Sequence, residues 1–576
     1  MKVQKDSGVK MMYRGTLTDL IRQIIAEIKS RRASGAGREK KQNKPMTKKG
    51  VVLLVVVLLI ILGVVYYISL PAVTTMSVQM WEMLLAIALV LMAVSCIADR
   101  AGKGFFTLRS KVLIGLAVVT AVVFGLGGLL SSPIFSASKY ANLMDIQEEE
   151  FTKDIEETDN IKDIALMDSE SAAVIGQRAV GSLSDVVSQY EVSDDYNQID
   201  LNGAPMKVSP LEYAGFFKWF NNKKSGIPGY VMVDPLENEA RYVKLKEPMK
   251  YSMSAYFGKY LPRHLRFRYS TAVFEGYYFE IDEEGNPYYI CPVLKANAGL
   301  FGAKDVKGVV ICNPCTGDTK YYKVADIPRW VDHAFDGELM LQKYLWKGTL
   351  SGGFINSMIG NKGCKQPTDD YGYRVIDGDV WMYTGVTSVN GDQSNIAFVL
   401  MNGRTGEAKY YPVVGCDESS AMSAAEGQVQ HLNYTASFPA LININDQPTF
   451  IMVLKDKSQL VKMYAMVNVE KYNVVATGTS QKEVLSQYRE MMSEEGIVDE
   501  SEIQKDSDQL KRISVADVQY ITTDGESYIY LRDTENILYK KKIADDETVM
   551  FIQKGDSIEV SYEENENKIY DLISWK

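Results

Sequence analysis

Histidine is nearly absent from this chain: three among 576 residues, His264, His333 and His431, far apart and with no neighbour at metal-ligand spacing. That scarcity argues against a zinc centre, which draws on closely spaced His, Cys and carboxylate ligands, and it leaves little support for Ser-His-Asp catalysis. GxSxG, HExxH and P-loop patterns are also missing. The stretch GTLSGG at 348–353 lacks the Lys and following helix of a phosphate loop, and NGDQSN at 390–395 lacks the spacing of a calcium loop, so both read as turns. No cofactor, no metal site and no catalytic residue is therefore assigned. Paired carboxylates of the kind that hydrolyse glycosides stay open as an alternative, because Asp and Glu number 73 and their separation in space is not legible.

Cysteine is scarce too. Five lie beyond residue 134 (Cys291, Cys312, Cys315, Cys364 and Cys416), an odd number that cannot all pair within one chain. Cys312 and Cys315 have the C-x-x-C spacing of a redox centre. Such a centre needs its first thiol at a helix N-terminus, where the dipole stabilises the thiolate, whereas this pair is expected on a hairpin turn.

Long apolar runs are missing from residue 135 onward, and three precede it. Residues 51–70 (VVLLVVVLLIILGVVYYISL) contain no charge and at helical rise extend about 30 Å, the thickness of a bilayer core. Runs at 78–97 and 112–134 follow, so three transmembrane helices are expected over 51–134. Glu82, near the end of the second, reads as structural because it can reach water. Charge sets the orientation. Residues 1–50 carry fourteen Lys or Arg against four Asp or Glu, and residues 51–134 carry four against two, so the remainder must hold −22 to reach the total of −10. Basic flanks stay in the cytoplasm. The tail is expected inside, and the large region after residue 134 outside, the cell membrane.

In the basic tail, residues 16–29 (TLTDLIRQIIAEIK) place Leu17, Leu20, Ile21, Ile24, Ile25 and Ile28 on one helical face, and 38–49 is a basic run suited to anionic lipid. Residues 135–163 are acidic and read as a stalk. From there to 499 a pattern recurs: YVMVDPLENEARYV (230–243), VVICNPCTGDTKYY (309–322) and FVLMNGRTGEAKYY (398–411). Superposing Asp234, Asn313 and Asn402 aligns Tyr242, Tyr321 and Tyr410, and also Asn238, Gly317 and Gly406 at the turn position that favours positive φ. A degenerate copy at 464–477 keeps Asn468. Helix signals follow each hairpin, the last a capping box of Ser480 and Glu483. The expected unit is several antiparallel strands plus one helix, an α+β layer. Residues 511–576 show five short alternating strands, expected to form a small β-barrel, OB-like or SH3-like. It lacks a basic stripe, so no nucleic acid is expected to bind.

The strand, TGE or TGD turn, strand and helix resemble the PepSY-type domains of bacterial envelope proteins. GIPGYVMVD (226–234), HLRFRY (264–269), IPRWVDHAFDGEL (327–339) and DVWMYTGVTSVNGDQSNIAFVL (379–400) also resemble a family of uncharacterised multi-pass membrane proteins of Gram-positive bacteria, over roughly 160–490. That resemblance implies an envelope setting and no catalytic residues. The expected role is an extracytoplasmic binding or assembly protein, with membrane lipid and an envelope protein or wall polymer as partners. An envelope hydrolase using paired carboxylates is the alternative. The thirty-five tyrosines either fill repeat interfaces or form stacking platforms.

Overall fold

The computed structural model describes residues 48–102, 108–158, 161, 164–181, 183–389, 394–498, 511–523, 526–563 and 569–575. The amphipathic stretch at 16–29, the start of the 38–49 basic run and residues 390–393 of the NGDQSN turn fall outside them. Contacts divide the chain into two units, one of Met1–Pro71 and Val78–Leu126, the other of Ala72–Ser77 and Gly127–Lys576.

The first unit is helical. It contains α1 (Lys48–Ser69), α2 (Val78–Gly102) and most of α3 (Leu108–Ser131), with Trp81 of α2 stacked on Phe124 of α3 and Ser95 hydrogen-bonded to Ser110. Two helices are long and apolar enough to cross a membrane, over Val78–Ser95 and Ser110–Ser131. This corrects the three-span expectation. Among the described residues the first run supplies a shorter apolar stretch, Val56–Ser69, within α1.

The second unit is α+β and mostly sheet. After α4 (Pro133–Ala141), four sheets follow one another along the chain, each a five-strand repeat. Sheet I uses Tyr190–Val192, Asn197–Leu201, Ala204–Tyr213, Ile227–Asp234 and Glu239–Met249. Sheet II uses Val273–Phe274, Tyr278–Ile281, Pro287–Ala298, Gly302–Cys312 and Thr319–Lys323. Sheet III uses Lys365–Pro367, Gly372–Ile376, Asp379–Ser388, Ala397–Asn402 and Ala408–Tyr411, and sheet IV Thr435–Ala436, Ala440–Ile444, Gln447–Lys455, Val461–Asn468 and Val475–Gly478. The topology is the same in all four. The long third strand pairs with both the first and the second strand on one side and the fourth on the other, and the fifth completes a hairpin with the fourth.

The turns that align in the sequence share one geometry. The side chain of Asp234 accepts the backbone N–H groups of Leu236 and Glu237, that of Asn313 those of Cys315 and Thr316, and that of Asn402 those of Arg404 and Thr405. Asn238, Gly317 and Gly406 close these turns at φ of +57°, +82° and +75°. An Asp or Asn side chain supplies the acceptor that mimics a backbone turn, and Asn or Gly tolerates the left-handed residue. In the fourth copy Asn468 still accepts from Lys471, in a turn one residue longer that closes between Asn468 and Val474.

Antiparallel strands usually alternate apolar and polar because one face is wet. Strands such as Ala397–Asn402 and Gln447–Lys455 read as continuous apolar runs because both faces are covered. Tyr230 of sheet I meets Phe279 of sheet II; Ile290, Val309 and Ile311 of sheet II share a core with Met382, Val399 and Met401 of sheet III; and Phe398 of sheet III lies edge-on to Phe450 of sheet IV, ring centroids 5.6 Å apart. The remaining faces are closed by helices. Here the unit differs from its sequence reading, because a helix covers the sheet that follows it in the chain. α5 (Ser169–Gly181) lies on sheet I. A short aromatic helix, α6 (Phe216–Asn222), interrupts that sheet. α7 (Leu261–Arg268) reaches sheet II, its His264 ring bonded to the Gly317 carbonyl; α8 (Gly337–Leu350) packs on sheet III and α9 (Glu418–Gln428) on sheet IV. α10 (Gln481–Glu494) closes the last face of sheet IV, with Ser480 accepting the Glu483 N–H and Glu483 accepting that of Thr479.

The acidic segment after α4 is not a detached stalk. Ile146–Glu148 adds a parallel strand to sheet III, Phe151 and Ile155 enter the core between sheets III and IV, and Ile161 and Ile164 lie under sheet IV. At the C-terminus, Lys511–Thr523, Glu526–Asp533, Leu538–Lys542, Ser557–Glu563 and Ile569–Trp575 enclose a separate core of Ile513, Ile529, Leu531, Tyr539 and Val560. The sheet is strongly curled, its strands pairing in the order first, second, third, fifth and fourth, and the first pairs back on the fourth. Its first and fourth strands meet over four residue pairs, Lys511–Ser514 against Ser557–Val560, and bulges at 515–517 and 561–562 bend it.

Candidate functional site

The second and third strands of sheet I form a hairpin whose turn, Asn202 and Gly203, has φ of +56° and +87°. This turn projects to where the sheets converge, and open clefts lie on either side of it. A cleft of about 330 Å³ is lined by Asp200, Asn202, Gly203, Glu283, Arg329, Trp330 and Gly378, from sheets I, II and III. A larger one of about 430 Å³ is lined by Gly203 and Pro205 of sheet I, Tyr373, Arg374 and Val375 of sheet III, Ala440 of sheet IV, and Glu156 to Thr158 of the acidic segment. Gly203 borders both.

Carboxylates gather beneath the smaller cleft. Glu280, fully buried, accepts the backbone N–H groups of Asp332 and His333 and faces the His333 ring, Oε1 to Nδ1 at 2.9 Å. Asp332 is also sealed from solvent, and its Oδ2 accepts the Asp200 N–H at 2.8 Å. Burial, and then the nearby Glu280 carboxylate, hold the Asp332 carboxyl well above the usual carboxylate range. Asp200, at the cleft itself, is raised chiefly by burial, and its Oδ1 has no hydrogen-bond partner. Arg329 donates to the Asp377 carbonyl, and Arg404 forms a two-armed pair with Asp379, both contacts at 2.6 Å. Gly403 is required by close approach: a Cβ there would lie 2.3 Å from the Asp332 carbonyl oxygen.

In the larger cleft Arg374 donates to the Leu441 carbonyl at 3.0 Å, and burial lowers the pKa of its guanidinium. Tyr373, raised by burial, stacks edge-on with Tyr371 and His333. A third polar cluster surrounds Gly385, whose N–H bonds Glu418 Oε1 at 2.7 Å; burial pushes Glu418 up to about 7.

The three histidines stay apart. His333 serves Glu280, His264 stacks on Tyr251 at 4.2 Å, and His431 is exposed in a single 3₁₀ turn. No group of metal-binding side chains occurs among the described residues. The glycines of 348–353 belong to the end of α8, where Gly348 lets the helix approach the Lys365 carbonyl. Cys312 and Cys315 are free thiols on the sheet II hairpin with no helix beginning there. Burial pushes them up to about 12 and about 11, and Cys315 bonds the Glu247 carbonyl. Both are held as thiols, the opposite of a reactive thiolate. Sequence reasoning missed Asp200, Arg329, Asp332 and Arg374, and the only local trace was the Asn-Gly turn beside Asp200. The chain matches no family model and no curated protein.

Proposed function

We propose that this is a membrane-anchored binding or assembly protein of a Gram-positive cell envelope, with its sheet unit on the extracytoplasmic side and an envelope protein or wall polymer as its partner. The observation that carries this reading is how the polar groups at the junction are used. Glu280 and Asp332, the two carboxylates brought together, are sealed inside and spent on backbone N–H groups of neighbouring repeats. Other charges also tie element to element, Lys409 to Asp154 and Lys455 to Asp168. What faces solvent is a pair of open clefts of mixed charge with an aromatic wall, suited to recognition. The charge segregation and the two apolar helices support the topology.

Protease added to wall-stripped cells should remove the region after residue 140 and spare the basic tail. A cut tail with a protected sheet unit overturns the orientation. A second reading rests on Asp200, whose raised carboxyl sits at the cleft with one unpartnered oxygen. If purified protein releases soluble sugars from wall fragments, and Asp200→Asn abolishes that release, hydrolysis replaces binding.

A further inference from the structure

The sheet unit carries one surface at odds with its charge. Although residues 135–576 hold −22, segment 214–225 contains Lys218, Lys223 and Lys224 with no acid, and segment 250–274 contains five Lys or Arg with no acid. The two segments meet. In α6, Phe216 packs on Tyr256 and Trp219 on Phe257, with ring centroids 5.1 and 5.7 Å apart, and Lys223 lies over the Phe220 ring. The aromatics are not hidden by this packing: Phe217 is 79% exposed, Phe257 56% and Phe220 50%. Phe257 is also held at φ +52°, a conformation costly for an aromatic residue.

This patch is continuous with a membrane-proximal anchor. Ala72–Ser77, the segment between α1 and α2, belongs to the sheet unit, and the Val73 N–H bonds the Ser270 carbonyl at 2.7 Å. Ser270 lies just past α7 and Phe257 just before it, so a helix about 12 Å long links the two. Where α3 ends, Ser131 Oγ accepts the N–H groups of Leu300 and Phe301 at 2.8 and 2.9 Å.

We infer that the aromatic and basic patch of α6 and the 256–268 segment is a lipid-surface contact, seating the sheet unit on anionic headgroups. Aromatic rings with flanking lysines occupy the interface between hydrocarbon and water, and each cation near an anionic leaflet adds to the attraction. The inference rests on the proposed membrane setting. It is tested with the full chain in nanodiscs of phosphatidylcholine with or without phosphatidylglycerol, using an environment-sensitive fluorophore on Phe217→Cys. In discs with phosphatidylglycerol the emission shifts to the blue and is quenched by spin-labelled lipid, while a probe on Tyr472→Cys stays water-like. Replacing Lys218, Lys223 and Lys224 by Gln lowers the docked-to-undocked ratio by about 100-fold. A water-like probe at 217 in anionic discs, or equal behaviour in both lipids, overturns the proposal. So does a response to soluble polyphosphate without lipid quenching, which identifies a polymer site. Orientation does not enter the disc measurement, so inverted topology on cells and failed docking in discs are separate outcomes.

Discussion

Sheets I to IV and the curled C-terminal sheet solve the same problem in opposite ways. In the repeats, strands such as Ala397–Asn402 and Gln447–Lys455 are buried on both faces and are apolar almost throughout. In the terminal module, Ile513 and Val515, Ile529 and Leu531, and Ile558 and Val560 alternate with polar residues, and only one face is dry. Two-sided burial makes each repeat depend on its neighbour, since neither face is complete alone. One-sided burial makes the terminal module self-sufficient.

The sharpest way to break this comparison is Phe450→Ala, which empties the contact between sheets III and IV. It should cost about 3–5 kcal/mol. In hydrogen exchange on the full chain, protection should fall across both sheets and remain unchanged at Ile529 in the terminal module. Equal loss in both regions would show one cooperative unit and dissolve the distinction.

A smaller effect follows from burying a carboxyl. Glu418 is raised from the ordinary range to about 7 by burial in the repeats. Its folded pKa exceeds its unfolded one, so the folded state holds an extra proton, and this contribution to stability is present at low pH and lost as pH rises through about 7. Glu418→Gln keeps the acceptor for the Gly385 N–H and should flatten the pH dependence of denaturant unfolding between about pH 5 and 8, by about 1–3 kcal/mol. An unchanged slope would place the titrating group elsewhere.

The smallest effect tests the turns. Asn402→Ala removes the acceptor for two backbone N–H groups and should destabilise sheet III by about 1 kcal/mol. Asp533→Ala should do the same in the terminal module, where Asp533 accepts from Glu535 and Ile537. Both shifts can be read from denaturation midpoints, and the turn chemistry is common to both regions even though their burial differs.

These turns were the most legible part of the sequence. Asn238, Gly317 and Gly406 announce a left-handed residue by type alone, and Ser480 with Glu483 announces a helix start, because both signals act within a few residues. Which sheet each helix covers was not legible. Apolar periodicity shows that a helix has a buried face but not what buries it, so α8 and α9 were read with the preceding hairpin rather than the following sheet. The acidic segment misled by composition, since Phe151, Ile155 and Ile161 are few among many charges yet sit at core positions. The expectation of three spans rested on apolar runs alone, and the run at 51–70 is the one that does not qualify. The clefts were invisible because Glu156, Asp200, Arg329 and Arg374 come from four separate parts of the chain and meet only through the stacking of sheets.

The order of helix and sheet also bears on how the chain is made. A chain that folds from its N-terminus as it emerges exposes incomplete units to aggregation. Here α5, α7, α8 and α9 each precede the sheet they cover, so one face of every sheet finds its helix already made, while the other face of sheets I, II and III waits for the next sheet and the last face of sheet IV waits for α10. The vulnerable moments are therefore the intervals between one sheet and the next, the last of them running from Gly478 to Glu494.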